Sequence, residues 1–154
     1  MVTKDILNKR KELLDGYERS IGLQDKTAPG SYDELKSYLS LTKEQLSVLQ
    51  PKDAVSIGIR LANFASYFRR CINEEKSNKT FAQSELNKIV AYECQQMDSF
   101  IKGEHKVALV AKVNQVAYDW LNILTYCNQR IERLDGVSED IKNLGYMMSL
   151  LGKY

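Results

Sequence analysis

The residue types with the widest chemical scope in this chain cluster between Lys112 and Arg133. Trp120 and Cys127 stand seven residues apart, and Lys112, Tyr126, Arg130 and Arg133 lie around them. A cysteine close to a tryptophan could form a thiol site. The spacing favours packing instead. At about 100° per residue, both side chains share one side of a helix with Val110, Val113, Ala117, Leu124, Ile131 and Leu134. Lys112, Tyr126, Arg130 and Arg133 fall on the opposite side. An aromatic ring among cations offers a stacking surface for planar rings and charge for phosphates, which is what a single-stranded nucleic acid requires. Asp119 lies among them, and an ordinary solvated face has the same make-up. Taken alone, these residues read better as the solvated face.

A second local excess of positive charge begins at Arg69 and Arg70 and continues at Lys76 and Lys79. Arg69 and Lys76 share a flank. They could meet phosphates, or pair with Glu74 and Glu75. The single histidine, His105, has no further ligands at metal-binding spacing around it. Glu139 and Asp140 are adjacent carboxylates, but acids at a helix start are favoured by the helix dipole and need no catalytic role. A phosphate-binding Walker loop, a dinucleotide glycine motif and a nucleophile elbow are all missing from the sequence. The expectation is a protein without catalysis, cofactor or metal.

The totals agree with a binding or structural role. The 154 residues suffice for one domain with a core of its own. The 22 basic and 20 acidic side chains leave a net charge of +2, so polyanion binding would have to come from a local patch. Cys71, Cys94 and Cys127 are odd in number and lack CxxC spacing, as in reduced thiols of a cytosolic protein. The N-terminal stretch has no apolar secretion core, and no run nears the roughly eighteen apolar residues of a membrane span. The expected location is cytoplasmic, meaning the host cytoplasm if the protein is viral.

The elements that must position these residues are helical throughout. Ile6, Leu13, Tyr17 and Ile21 predict a first helix over 3–21, with Thr3 as its N-cap. Residues 24–31 form a linker. Ser31 and Thr42 each precede a capping-box pattern and predict two short helices. From Lys52 to Ile101 the spacing predicts one long helix. Its stripe is Ile57, Leu61, Phe64, Phe68 and Cys71, resuming in phase at Ala82, Leu86, Ile89, Met97 and Phe100 across a polar waist where Glu75 and Lys79 can pair. After a break at Gly103, a second long helix is predicted over 104–135 and closed by Gly136 as a C-cap. A last helix follows, with Ile141, Leu144, Met148 and Leu151 as its stripe.

The fold class is therefore all-α: a long antiparallel helical hairpin with short N- and C-terminal helices. Residues 1–50 read as an N-terminal helical appendage, and 51–154 as the hairpin with its terminal helix. The apolar faces are broader than one two-helix contact covers, which predicts burial by the small helices or by other copies in a homo-oligomer.

Residues 51–154 resemble the UvsY-type recombination mediators of T-even-like phages. The likeness rests on Trp120, Leu124, Tyr126, Cys127, Ile131, Leu134, the Ile141–Lys142 pair, Leu144 and Met148, set after a long helix and a break near Gly103. It implies a non-enzymatic, ring-like homo-oligomer that binds single-stranded DNA. Such a protein helps a RecA-like recombinase displace a single-strand-binding protein during DNA recombination and repair. It also implies that Ile141, Leu144, Met148 and Leu151 drive self-assembly. The chain departs from the family pattern in one important place. The family has a basic, DNA-contacting stretch in the second half of its long helix, whereas "SELNKIVAYECQQ" here has Lys88 as its only cation. DNA contact would then fall to Arg69, Arg70, Lys76, Lys79 and Lys88, with Lys112, Tyr126, Arg130 and Arg133. The first 50 residues exceed what the family usually has. A helical adaptor or inhibitor that binds another protein and no DNA is the alternative.

Overall fold

The computed structural model describes residues 2–23, 27–95 and 102–153. All regular structure among them is helical: α1 (Val2–Ser20), α2 (Tyr32–Leu39), α3 (Lys43–Ser47), α4 (Pro51–Glu93), α5 (Gly103–Val113) and α6 (Gln115–Leu151). None of these helices is long and apolar enough to cross a membrane. The stripe positions Met97 and Phe100 lie outside the described residues.

Local chemistry accounts for most helix ends. Ser31 Oγ accepts from the Glu34 backbone N–H at 3.1 Å and starts α2. Thr42 and Gln45 form a reciprocal capping box at 2.9 and 3.2 Å that starts α3. Pro51 occupies the first position of α4, where its missing N–H costs nothing. The polar waist at 73–80 remains helical, as the unbroken phase of the stripe requires.

Three local expectations are corrected. Thr3 lies inside α1 and is buried, so it is not the cap. The second long helix breaks at Asn114 rather than at Gly136. Asn114 adopts an extended conformation (φ −122, ψ 109), and its Oδ1 accepts from the Ala117 N–H at 3.1 Å, capping α6. The helix then continues through Gly136. A helical glycine costs about 1 kcal/mol relative to alanine, which burial of Ile141 and Leu144 just beyond it offsets.

The chain forms two compact units, and residue 50 is a boundary of neither. The first combines Met1–Asp25 with Glu74–Ile131; the second combines Lys26–Asn73 with Glu132–Tyr154. Both long helices therefore contribute to both units.

In the second unit, Leu35 of α2, Ala54, Leu61 and Phe64 of α4, and Ile141, Leu144 and Met148 of α6 form a buried cluster. Leu46, Leu49 and Leu151 pack against its edge. Ile141, Leu144 and Met148, expected to drive assembly, are thus already covered within one chain, and Leu151 is half-buried. Their role is core packing. Gly58 faces Met148, and an alanine Cβ there would meet Met148 Cβ at 3.6 Å, an ordinary contact. The linker end is tied to α4 by Arg60, whose guanidinium donates to both Glu34 oxygens at 2.8 and 2.7 Å and to the Pro29 carbonyl at 2.8 Å. Tyr38 Oη adds a bond to Glu34 at 2.9 Å. The Arg60 bonds, then that of Tyr38, hold the Glu34 carboxyl below the usual carboxylate range. A Cβ on Gly30 would overlap this carboxylate and guanidinium, the mobile ends of two side chains, which would have to shift to admit it.

In the first unit, Ala82, Leu86, Val110, Ala117, Trp120 and Leu124 form the buried cluster. Phe81 meets Trp120 edge-to-face at 5.7 Å between centroids. Glu93 contacts Asn114, Phe81 contacts Trp120 and Glu75 contacts Arg130. The contact face of α1 differs from the one its apolar residues predict. Thr3 is buried and Arg10 half-buried, whereas Leu13, Tyr17 and Ile21 are each more than half exposed. Polar contacts hold α1 in place: Lys11 to Glu74 at 2.9 Å, Arg10 Nη2 to Ser77 Oγ at 3.0 Å, and the Arg10 guanidinium 4.8 Å from the Phe81 ring centre.

Candidate nucleic-acid interface

All nine residues expected to contact DNA are exposed, and they divide between the two units. Lys76, Lys79, Lys88, Lys112, Tyr126 and Arg130 belong to the first unit, and Arg69, Arg70 and Arg133 to the second. Lys112 was grouped with Tyr126 and Arg130 on the assumption of one unbroken helix. The extended residue at Asn114 interrupts that projection and leaves Lys112 near the end of α5.

Tyr126 and Arg130 are brought together. They sit one helical turn apart on α6 and line a groove of about 460 Å³ between α1, α4 and α6. The floor includes Leu7, Ile123 and Cys127, and the rim includes Lys4 and Lys11. Three carboxamides, Asn8, Asn78 and Asn122, reach it from three different helices.

The charges in the groove are largely matched. Arg130 Nη1 lies 3.4 Å from Glu75 Oε1, Lys11 pairs with Glu74, and Asp119 accepts from Gln115 Nε2 at 2.9 Å. The Arg130 side chain is 66% exposed. A long contact at that exposure contributes at most about 1 kcal/mol, although the Glu75 side chain on its other side is only 16% exposed. The expected Glu75–Lys79 pairing gives way to this contact with α6.

Cys127 is buried, as its place on the apolar side predicts. Burial, reinforced by the Glu75 carboxylate, pushes its thiol up to about 11. The thiol is therefore protonated at neutral pH, which argues against a nucleophilic role.

A second polar surface runs along α4, where Lys79, Thr80, Gln83, Ser84, Asn87 and Lys88 line a shallow depression. Lys88 pairs with Glu85 at 3.0 Å, and Gln83 donates to Asn87 at 2.8 Å. His105 is exposed at the start of α5. Among the described residues, no three His, Cys, Asp or Glu side chains are grouped to hold a metal ion.

Sequence reasoning missed the contribution of α1 to the groove. Lys4, Asn8 and Lys11 repeat at helical spacing on one face, but the apolar residues beside them drew the contact face elsewhere.

No protein-family profile matches the chain, and neither a curated protein nor a solved structure does. The UvsY-type likeness therefore stands on the residues quoted for it.

Proposed function

We propose that this protein is a non-enzymatic, helical single-stranded-DNA-binding protein of the recombination-mediator kind. In this reading its two long helices fold back as an antiparallel hairpin. The observation that carries the proposal is the pairing of exposed Tyr126 with loosely held Arg130 on a groove rimmed by Lys4 and Lys11. Such a surface supplies stacking and phosphate charge together. The sequence likeness adds the biological setting, in which the protein helps load a RecA-like recombinase in place of a single-strand-binding protein. Assembly into a homo-oligomer would let weak sites on each copy add by avidity, which suits a chain of net charge +2. Its contacts would involve surfaces other than the buried Ile141–Met148 stripe.

Fluorescence anisotropy with labelled single- and double-stranded oligonucleotides tests the reading. Preferential binding of the single strand is expected, with affinity falling steadily as salt rises. Arg130→Ala should weaken binding and flatten that salt dependence. No change in anisotropy at low salt would overturn the proposal.

One observation favours a second reading, a protein-binding adaptor or inhibitor. Val2, Leu13 and Tyr17 leave a row of apolar surface exposed along α1, of the kind a partner groove accepts. A stable complex with a protein partner after nuclease treatment, without affinity for oligonucleotides, would select it.

A further inference from the structure

We infer that the groove between α1, α4 and α6 of the first unit is a pocket for a single unpaired nucleobase. The inference rests on the single-strand reading above and deepens it, because stacking on an open surface needs no pocket.

The polar groups on its walls are poised for a neutral hydrogen-bonding ring. Asn78 and Asn122 are half-buried, and neither they nor Asn8 have a side-chain hydrogen bond within the chain among the described residues. A carboxamide presents a donor and an acceptor side by side, which matches a base edge bidentately. The amide atoms of these asparagines stay open to solvent and are free to meet a ligand that offers both a donor and an acceptor. The carboxylates disfavour a phosphate within the groove, yet they leave little net negative field, since Glu74 and Glu75 are paired with Lys11 and Arg130. The cations at the rim suit a phosphate outside. Tyr126, 58% exposed at the mouth, offers a ring for the base to stack on. The volume of about 460 Å³ lies within the range of small-molecule sites. A base inside, with its backbone at the rim, uses each of these features.

The test compares a thymidine-containing single strand with an abasic strand of equal length on the full chain, using anisotropy at low salt. The abasic strand is expected to bind roughly tenfold more weakly, about what one stacked base contributes. The double variant Asn78→Ala, Asn122→Ala should bind both strands alike, and so should Tyr126→Ala. Tyr126→Phe retains the ring and should keep the difference, and circular dichroism checks that each variant is folded. Equal binding of the two strands by the unaltered protein overturns the pocket and leaves the single-strand reading intact. So does a base preference that survives in the folded asparagine and alanine variants, because the bases are then met elsewhere. Binding of neither strand overturns both readings.

Discussion

The two compact units are held together by different means. In the unit of Lys26–Asn73 with Glu132–Tyr154, short capped helices close over α4 and α6 with leucines, and the principal polar cluster, Arg60 with Glu34 and Tyr38, fastens the linker. In the unit of Met1–Asp25 with Glu74–Ile131, α4 and α6 have a comparable apolar core, but α1 is attached mainly by charged and polar groups. Among the described residues, Arg10 Nη1 is buried there without a hydrogen-bond partner, which costs about 1–3 kcal/mol. Covering an apolar stripe yields a closed element, whereas polar attachment leaves side chains facing a groove. The candidate site lies where the attachment is polar.

Large-to-small substitutions should show that the two apolar cores are alike. Trp120→Ala in the first unit should destabilise by about 3–5 kcal/mol and Met148→Ala in the second by about 2–5 kcal/mol, measured by urea denaturation. A loss under 1 kcal/mol at either site would mean that its core is not closed as described. The difference between the units should appear at α1. Lys11→Ala should cost only about 0.2–1 kcal/mol, since the Lys11 side chain is 51% exposed. Amide hydrogens of α1 should exchange with solvent sooner than those of α4 near Leu61. Equal protection would remove the contrast.

The smallest expected effect is the acid dependence of the Glu34 cluster. The folded-state pKa of Glu34 is lowered by Arg60 and then Tyr38. Its contribution to stability is thus fully present above the unfolded value near 4.3 and is lost as pH falls through the folded value. Comparing acid unfolding of the unaltered protein with Glu34→Gln should show a shallower loss for the variant below that pH. Coincident acid limbs would show that the Arg60 contact does not stabilise the charged form.

Much of the fold was legible because helix periodicity and capping act locally. Ser31 and Thr42 marked helix starts, and the in-phase stripe at Leu61, Phe64, Ala82 and Leu86 carried α4 through its polar waist. Asn114 went unread because a single capping residue inside an apolar pattern looks like any polar position, while Gly136 suggested an end that neighbouring burial overrides. Periodicity also shows that a stripe is apolar without showing what covers it. The family resemblance gives Ile141, Leu144 and Met148 a role in self-assembly, whereas Leu35 and its neighbours cover them within the chain. The site was legible at Tyr126 and Arg130 only. Its other walls depend on tertiary placement of Asn8, Asn78 and Asn122, for which no local signal exists.

The central claim is that a single strand lies across the mouth of the groove at Tyr126. Photocrosslinking a bromodeoxyuridine-substituted single strand to the protein, followed by peptide mass spectrometry, tests it most directly. The account predicts a crosslink on the segment containing Tyr126. A strand that crosslinks only to segments away from this groove, or not at all, would contradict it.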